Sequence, residues 1–168
     1  MSEKDIIFNS SVKLKEGIFD FKEYYKFCYD WLAEETELLL SESKYNEKLV
    51  GDGKNIDIEW NGFRKLTDYF KFDAKVKFKI IQLKKVEINQ DGRKIKMNHG
   101  EVKLSIKGTL VRDWQGKFET NAFKKFLRSV YEKYIIESRI DQFEEKIITD
   151  CDEFLNQAKA YLDLEGKR

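Results

Sequence analysis

The sequence predicts an α+β fold, in which an antiparallel meander of about five or six strands packs on one face against an N-terminal helix and a long C-terminal helix. Three observations predict it: apolar residues alternate in several segments of the first two thirds, tight-turn signals separate those segments, and apolar residues recur at helical spacing over 120–163. Strands joined in sequence by tight turns pair antiparallel, and helices then cover one face of the sheet.

The first element is a strand over residues 5–14, where Ile6, Phe8, Val12 and Leu14 alternate with polar residues. A helix follows to about residue 40. Asp20 and Glu23 have the spacing of a capping box, and Phe19 can pack onto Tyr24 as a hydrophobic staple. The segment 41–53 is less regular and ends in the turn-forming "GDG".

The middle of the chain predicts the meander. Ile56, Ile58 and Trp60 alternate before "NG" at 61–62, which is either a hairpin turn or a bulge passed through by the strand. A long strand follows over 69–83, and its pattern slips at Ile80-Ile81, where we expect a bulge or bend. "QDG" predicts a hairpin between 85–89 and 93–97, and "NHG" at 98–100 predicts a further turn before a strand over 101–114.

From Thr120 or Asn121 the apolar residues keep a helical period until Gly166, a predicted C-cap. Unbroken, residues 120–163 would span roughly 66 Å and overhang the sheet by about 16 Å. Capping boxes at Ser138 and Thr149 are places where this helix could break. The overhang would carry four apolar residues that need cover, and we predict them as a partner surface: Phe154, Leu155, Tyr161 and Leu162.

The 168 residues predict a single domain spanning 1–168, and the composition excludes a disordered chain. The net charge of +1 predicts no global attraction to nucleic acid or membrane, although residues 63–118 carry +9 between acidic flanks of −6 and −2. No signal peptide or membrane span is predicted. Cys28 and Cys151 do not form a disulfide framework, so a cytoplasmic protein with reduced thiols is expected.

One face of the sheet is predicted to be basic, because lysines alternate with the apolar residues of the strands. The predicted basic face consists of Lys71, Lys75, Lys77, Lys79, Lys94, Lys96, Lys103 and Lys107. A solvated sheet face is the ordinary interpretation, and lysines also guard sheets against association. An anionic membrane surface is an alternative partner, since headgroups require only charge. Nucleic acid is disfavoured, because the aromatic residues alternate to the opposite face and cannot stack on bases.

No catalytic constellation is found in the sequence. His99 is the single histidine, Cys28 and Cys151 lie on apolar helical faces, and the stripe of Glu137, Asp141 and Glu145 lacks histidine partners. "GDGKN" at 51–55 lacks the spacing of a phosphate-binding loop. We therefore predict no enzymatic activity, no metal site and no cofactor.

Two resemblances accompany this interpretation. The element order is similar to that of helix-grip (START-like) domains, in which a curved sheet wraps a long C-terminal helix and often encloses an apolar cavity. The segments "GKNIDIEW…DYFKF…VKFKI…DGRKIKMNHGEVK" in 53–103 and "FLRSVYEKYII" at 126–136 resemble a group of small archaeal proteins without an assigned activity.

The function hypotheses follow from these features. The first is a non-enzymatic binding module that holds an apolar or amphipathic small molecule between the sheet and the C-terminal helix, with Trp31, Phe70, Phe72, Phe78 and Tyr134 as ligand-binding residues. The second is an assembly protein that forms a homodimer through the C-terminal helix. The third is peripheral membrane binding through the basic face.

Overall fold

The computed structural model describes residues 3–118, 121–134 and 137–165, apart from the side chains of Tyr134 and Glu165. Along the chain the elements are β1 (Glu3–Phe19), α1 (Phe21–Glu35), β2 (Leu39–Val50), β3 (Gly53–Lys65), β4 (Phe70–Gln90), β5 (Arg93–Arg112), α2 (Ala122–Tyr134) and α3 (Glu137–Glu165). The strands form one antiparallel sheet in the order β1-β5-β4-β3-β2. The predicted α+β fold class is therefore confirmed, with five strands.

The helix α1 begins where the sequence indicates but ends earlier. The Asp20 carboxylate accepts a hydrogen bond from the Glu23 backbone N–H at 3.2 Å, as expected of an N-cap. The helix ends at Glu35 instead of near residue 40 because Thr36 caps it, and the chain continues into β2. Nearly all of β2 is exposed on both faces, so this edge strand carries no apolar alternation that could have predicted it.

Two turn predictions are confirmed and one is wrong. The Gly51-Asp52 turn joins β2 to β3, and Asp91 and Gly92 join β4 to β5 with φ values of 53° and 76°. The predicted turn at 98–100 does not exist, because β5 runs through it as one strand of 20 residues. Likewise, "NG" at 61–62 lies inside β3.

The expected bulge lies just beyond Ile80-Ile81. The pairing register of β4 with β5 shifts between Ile81 and Lys84, and Gln82 has a φ of 54°. On the other side of β5, the register with β1 shifts between Leu14 and Gly17. Both shifts add a residue to the neighbouring strand, so the side chains of β5 alternate without interruption.

The described residues of the C-terminal segment are helical on both sides of residues 135–136, in α2 and in α3. The side chain of Asn121 caps α2, accepting a hydrogen bond from the Lys124 backbone N–H at 2.8 Å. Ser138 and Thr149, the two candidate breaks, both lie within α3, so neither interrupts the described helix. The predicted C-cap Gly166 lies outside the described residues. Among the described residues, no helix is both long and apolar enough to cross a bilayer.

The core lies between the inner face of the sheet and the helices α1 and α3. The helix α3 contacts β1 and β5, and Tyr25 and Tyr29 of α1 pack edge-on against the buried Trp60 of β3. At Gly108 the sheet and α3 approach closely, since a Cβ atom there would lie 2.7 Å from the Ile147 Cγ2 atom. The helix α3 can approach the sheet this closely only because residue 108 is a glycine.

The predicted partner surface on the C-terminal helix is wrong. Phe154, Leu155 and Leu162 are buried in the core, and Tyr161 is partly buried with its ring stacked on Phe27 at 4.7 Å. These residues need no external cover, because α3 lies across the sheet beside α1 instead of projecting beyond it.

Candidate functional site

The aromatic residues predicted to bind an apolar ligand are packed against other side chains. Phe70, Phe72 and Phe78 are each 2% exposed. The Phe70 ring lies 5.2 Å from the Phe143 ring, and the Trp31 ring lies 5.9 Å from the Phe154 ring. The side chain of Tyr134 lies outside the described residues. The described aromatic residues of this set therefore belong to the hydrophobic core or pack against it.

None of the four described cavities lies between the sheet and α3. Two lie on the outer face of the sheet, one lies at the β2–β3 turn near Leu49, and one lies beside α2 near Glu132. They give no support to a ligand held between sheet and helix.

The two cysteines are buried free thiols. Burial raises the pKa of Cys28 and the pKa of Cys151 to about 12 each. Such thiols are protonated and poorly nucleophilic at neutral pH. His99 lies in β5 between Ile18 and Lys84, and in the described part of the chain no group of three or more His, Cys, Asp or Glu side chains is arranged to hold a metal ion.

The outer face of the sheet is where basic residues converge. Across its strands, directly paired residues form rows that point to the same side. One row reads Lys13, Lys103, Lys79, Asp57 from β1 to β3, the next reads Ser11, Ser105, Lys77, Glu59, and the third reads Asn9, Lys107, Lys75, Asn61. On β1, β5 and β4, six lysines thus lie around two serine hydroxyl groups and the Asn9 amide, and Asp57, Glu59 and Asn61 of β3 end the three rows. We call these nine residues the lysine cradle: Asn9, Ser11, Lys13, Lys75, Lys77, Lys79, Lys103, Ser105 and Lys107.

The positive charges of the lysine cradle are only partly compensated. Lys13 pairs with Glu101 at 2.7 Å, and a single carboxylate, Glu59, lies 3.9 Å from Lys75 and 3.7 Å from Lys77. Within the described part of the chain, the three remaining lysines, Lys79, Lys103 and Lys107, have no carboxylate within 4.0 Å.

Like charges stand directly opposite one another in the cradle. Lys103 pairs with Lys13 on one side and with Lys79 on the other, and Lys107 pairs with Lys75. Directly opposed residues have Cβ atoms about 4.5–5.5 Å apart, a distance at which like charges destabilise a sheet. A bound anion would relieve this repulsion.

Grooves between these lysines provide the space for such an anion. A cavity of about 210 Å³ is lined by Asn9, Lys75, Lys77, Ser105 and Lys107. A second cavity of about 370 Å³ shares Lys75 and Lys107 and extends toward Lys71 and Lys4. The two cavities therefore adjoin the same two lysines on the outer face.

Lys94 and Lys96, predicted as part of the basic face, are on the opposite side of the sheet. Side chains of a strand alternate, and β5 is continuous, so Lys94 and Lys96 share the side of the buried Val102 and Leu104. The error follows from the predicted turn at 98–100, which would have restarted the alternation. Both lysines are exposed, because this end of the β4–β5 hairpin carries them beyond the core.

Sequence reasoning missed three polar residues and one lysine of the cradle. Asn9, Ser11 and Lys13 are visible as one face of the first strand, but only the pairing of β1 with β5 brings them beside Lys103 and Lys107. Ser105 alternates with Lys103 and Lys107 and could have been noticed from spacing alone.

Comparison with known proteins adds no information on the lysine cradle or on the other residues of this section. No family model matches the chain, and no curated protein and no solved structure is significantly similar to it. The resemblances to helix-grip domains and to small archaeal proteins therefore stay predictions.

Proposed function

We propose that this protein is a non-enzymatic binding module whose lysine cradle holds a soluble ligand rich in phosphate groups. The observation that carries the proposal is the row in which Lys13, Lys103 and Lys79 stand side by side. Among the described residues, Glu101 forms an ion pair with Lys13, and Asp57 is the cross-strand neighbour of Lys79 without a carboxylate oxygen within 4.0 Å of its ammonium group. A structure that keeps opposed like charges loses stability, and a bound polyanion would recover it.

The donors of the cradle suit phosphate oxygens. Lysine ammonium groups form charge-assisted hydrogen bonds with anionic oxygens, and the hydroxyl groups of Ser11 and Ser105 can donate further hydrogen bonds between the lysine rows. Two cavities of about 370 and 210 Å³ adjoin Lys75 and Lys107, so more than one anionic group can be placed beside these lysines.

Nucleic acid is a poorer fit than a polyanion without bases. In the five described strands, Phe63 is the one aromatic residue on the outer face, and the Lys71 Nζ atom lies over its ring at 5.8 Å. Single-stranded nucleic acid is usually held by several stacking rings.

The test is a calorimetric titration of the protein with short-chain inorganic polyphosphate, at low and at moderate salt. We expect binding that weakens steeply with salt, because it is driven by charge. The Lys103→Gln/Lys107→Gln variant should bind at least about tenfold more weakly, if each lost charge-assisted bond is worth about 1 kcal/mol.

The matched control is Lys94→Gln/Lys96→Gln, which removes the same charge from the same strand on the opposite side of the sheet. Equal weakening by the two variants would contradict the proposal, since it would show a response to net charge alone. Preference for a single-stranded oligonucleotide would assign the face to nucleic acid instead. Binding to anionic vesicles but not to polyphosphate, lost only in the cradle variant, would assign it to a membrane surface.

The other hypotheses stay predictions with tests of their own. A native mass spectrum would detect a retained apolar molecule as added mass that disappears on denaturation, and a homodimer as a doubled mass. A cytoplasmic location is part of the proposal, because both cysteines are free thiols and reducing compartments maintain them.

A further inference from the structure

The helix α2 carries an apolar stripe that faces away from the rest of the protein. Phe123, Phe126 and Leu127 are 68%, 63% and 41% exposed, and Val130 continues the stripe one turn later. Residues three and four positions apart lie on the same side of a helix, so these four form one continuous surface. A helix of a globular protein ordinarily turns such a stripe toward the core.

Polar contacts fix α2 in this orientation. On the opposite side of the helix, Arg128 pairs with Glu3 of β1 at 3.0 Å, and Glu132 pairs with Arg112 of β5 at 3.6 Å. The Tyr69 hydroxyl also donates a hydrogen bond to Glu132, and the Tyr131 ring lies 5.5 Å from the Tyr69 ring. Rotating the apolar stripe inward would break these ion pairs, so the stripe is held outward by the fold.

The charges around the stripe are positive. The exposed lysines of α2 that border the stripe are Lys124, three positions before Leu127, which has no carboxylate within 4.0 Å in the described part of the chain, and Lys133, three positions after Val130. The acidic residue within α2, Glu132, is turned inward by its two arginine partners. The outward side of α2 therefore presents phenylalanine, leucine and lysine together.

We infer that α2 docks the protein on an anionic lipid surface, lying in the interface with its apolar stripe inserted. Phenylalanine and leucine on one side with lysines around them are the composition of interfacial helices, in which apolar burial and attraction to anionic headgroups act together. The 13 described residues of α2 span about 20 Å, which is sufficient length to lie in the interface.

A second copy of the chain fits this stripe less well. A symmetric contact repeats the same residues on both sides, so the lysines that border the stripe, Lys124 and Lys133, would be present on both sides of it. An anionic lipid surface supplies both the apolar cover and the opposite charge.

The experiment is flotation of the full chain with phosphatidylcholine vesicles, with and without phosphatidylserine, at moderate salt. We expect binding to the phosphatidylserine vesicles and at least about tenfold weaker binding by Phe123→Ser/Phe126→Ser, because each inserted ring contributes apolar burial. Since both rings are exposed, this variant should melt at the same temperature as the parent.

Two controls separate this inference from general effects and from the lysine cradle. Leu49→Ser removes an apolar residue that is 83% exposed on β2 and should leave vesicle binding unchanged. Lys103→Gln/Lys107→Gln should retain vesicle binding, since α2 does not include the cradle.

Insertion of the stripe can also be observed by fluorescence. A Phe126→Trp variant should show a blue-shifted tryptophan emission with vesicles, and brominated lipid should quench that emission.

Three results would overturn the inference: no binding to phosphatidylserine vesicles even at low salt, vesicle binding that Phe123→Ser/Phe126→Ser leaves intact, or tryptophan emission that vesicles do not shift. A concentration-dependent dimer that the double variant abolishes, without vesicle binding, would assign the stripe to a second copy.

Discussion

At the scale of the residue, the lysine cradle shows a conflict between local stability and a charged surface. Lys103 stands between Lys13 and Lys79 on adjacent strands. Of these three, only Lys13 has a carboxylate within 4.0 Å in the described part of the chain, and Asp57 is the cross-strand neighbour of Lys79. Long side chains can spread their ammonium groups apart, but they do so at a cost in conformational freedom. The arrangement is therefore expected to lower the stability of the unliganded protein.

Replacing Lys103 with Gln should stabilise the unliganded protein by about 0.2–1 kcal/mol, because it removes both opposed pairs at once. Urea unfolding at low salt measures the gain, which should shrink as salt screens the repulsion. The control is Lys96→Gln on the other side of β5, where the opposite residue is Glu87. A gain for Lys96→Gln as large as that for Lys103→Gln would argue against repulsion within the cradle.

At the scale of the element, the turn after β5 depends on one buried carboxylate. Asp113 is 2% exposed, and its Oδ1 and Oδ2 atoms accept hydrogen bonds from the Lys117 and Phe118 backbone N–H groups at 3.0 and 3.1 Å. Its φ of 50° lies in the left-handed region, which Asp and Asn tolerate better than most residues. The same turn leads the chain from the sheet toward α2.

Asp113→Ala should lower the free energy of unfolding by about 2–3 kcal/mol, because it removes the acceptor of two part-buried backbone hydrogen bonds and keeps an unfavourable φ. Asp113→Asn is the matched variant, since it retains one acceptor oxygen and tolerates the same φ, and it should cost less than half as much. Thermal or urea unfolding of both variants measures the difference. Equal losses in the two variants would contradict this account of the turn.

At the scale of the whole molecule, the core brings together residues from both ends of the chain. Tyr24 of α1 lies edge-on to Phe78 of β4 at 6.1 Å and near Tyr161 of α3 at 5.6 Å. Cys28 and Cys151 are buried in the same core, so their protonation reports on its integrity.

Because burial raises the pKa of both thiols to about 12, stability should depend on alkaline pH. In an unfolded chain a thiol ionises near pH 8.5, so above about that pH the unfolded state loses protons that the folded state keeps. The thiol contribution is therefore fully present below about pH 8.5 and is lost as pH rises toward 12.

Urea unfolding between pH 8 and 11 tests this expectation. The free energy of unfolding should fall with pH, and it should fall less steeply in Cys28→Ala/Cys151→Ala than in the parent protein. At pH 8 both thiols should react with a disulfide reagent only after unfolding. Identical pH slopes, or rapid reaction of the folded protein, would contradict burial of the thiols.

The sequence by itself determined the fold class, the cap of α1, the β4–β5 hairpin and its nearby bulge. These features depend on local chemistry: alternation, capping side chains and residues that accept positive φ. The polar edge strand β2 and the uninterrupted course of β5 could not be predicted, because the first has no apolar face and the second contains a turn-like "NHG".

Only the tertiary structure decided where the candidate surfaces lie. The pairing of β1 with β5 places Lys13 beside Lys103, which is 90 positions later in the sequence. The unbroken alternation of β5 removes Lys94 and Lys96 from that face. The apolar residues of α3 and α2 have the same helical spacing in the sequence. The structure buries Phe154 and exposes Phe126, because α3 packs on the sheet through its apolar side whereas ion pairs hold the polar side of α2 against it.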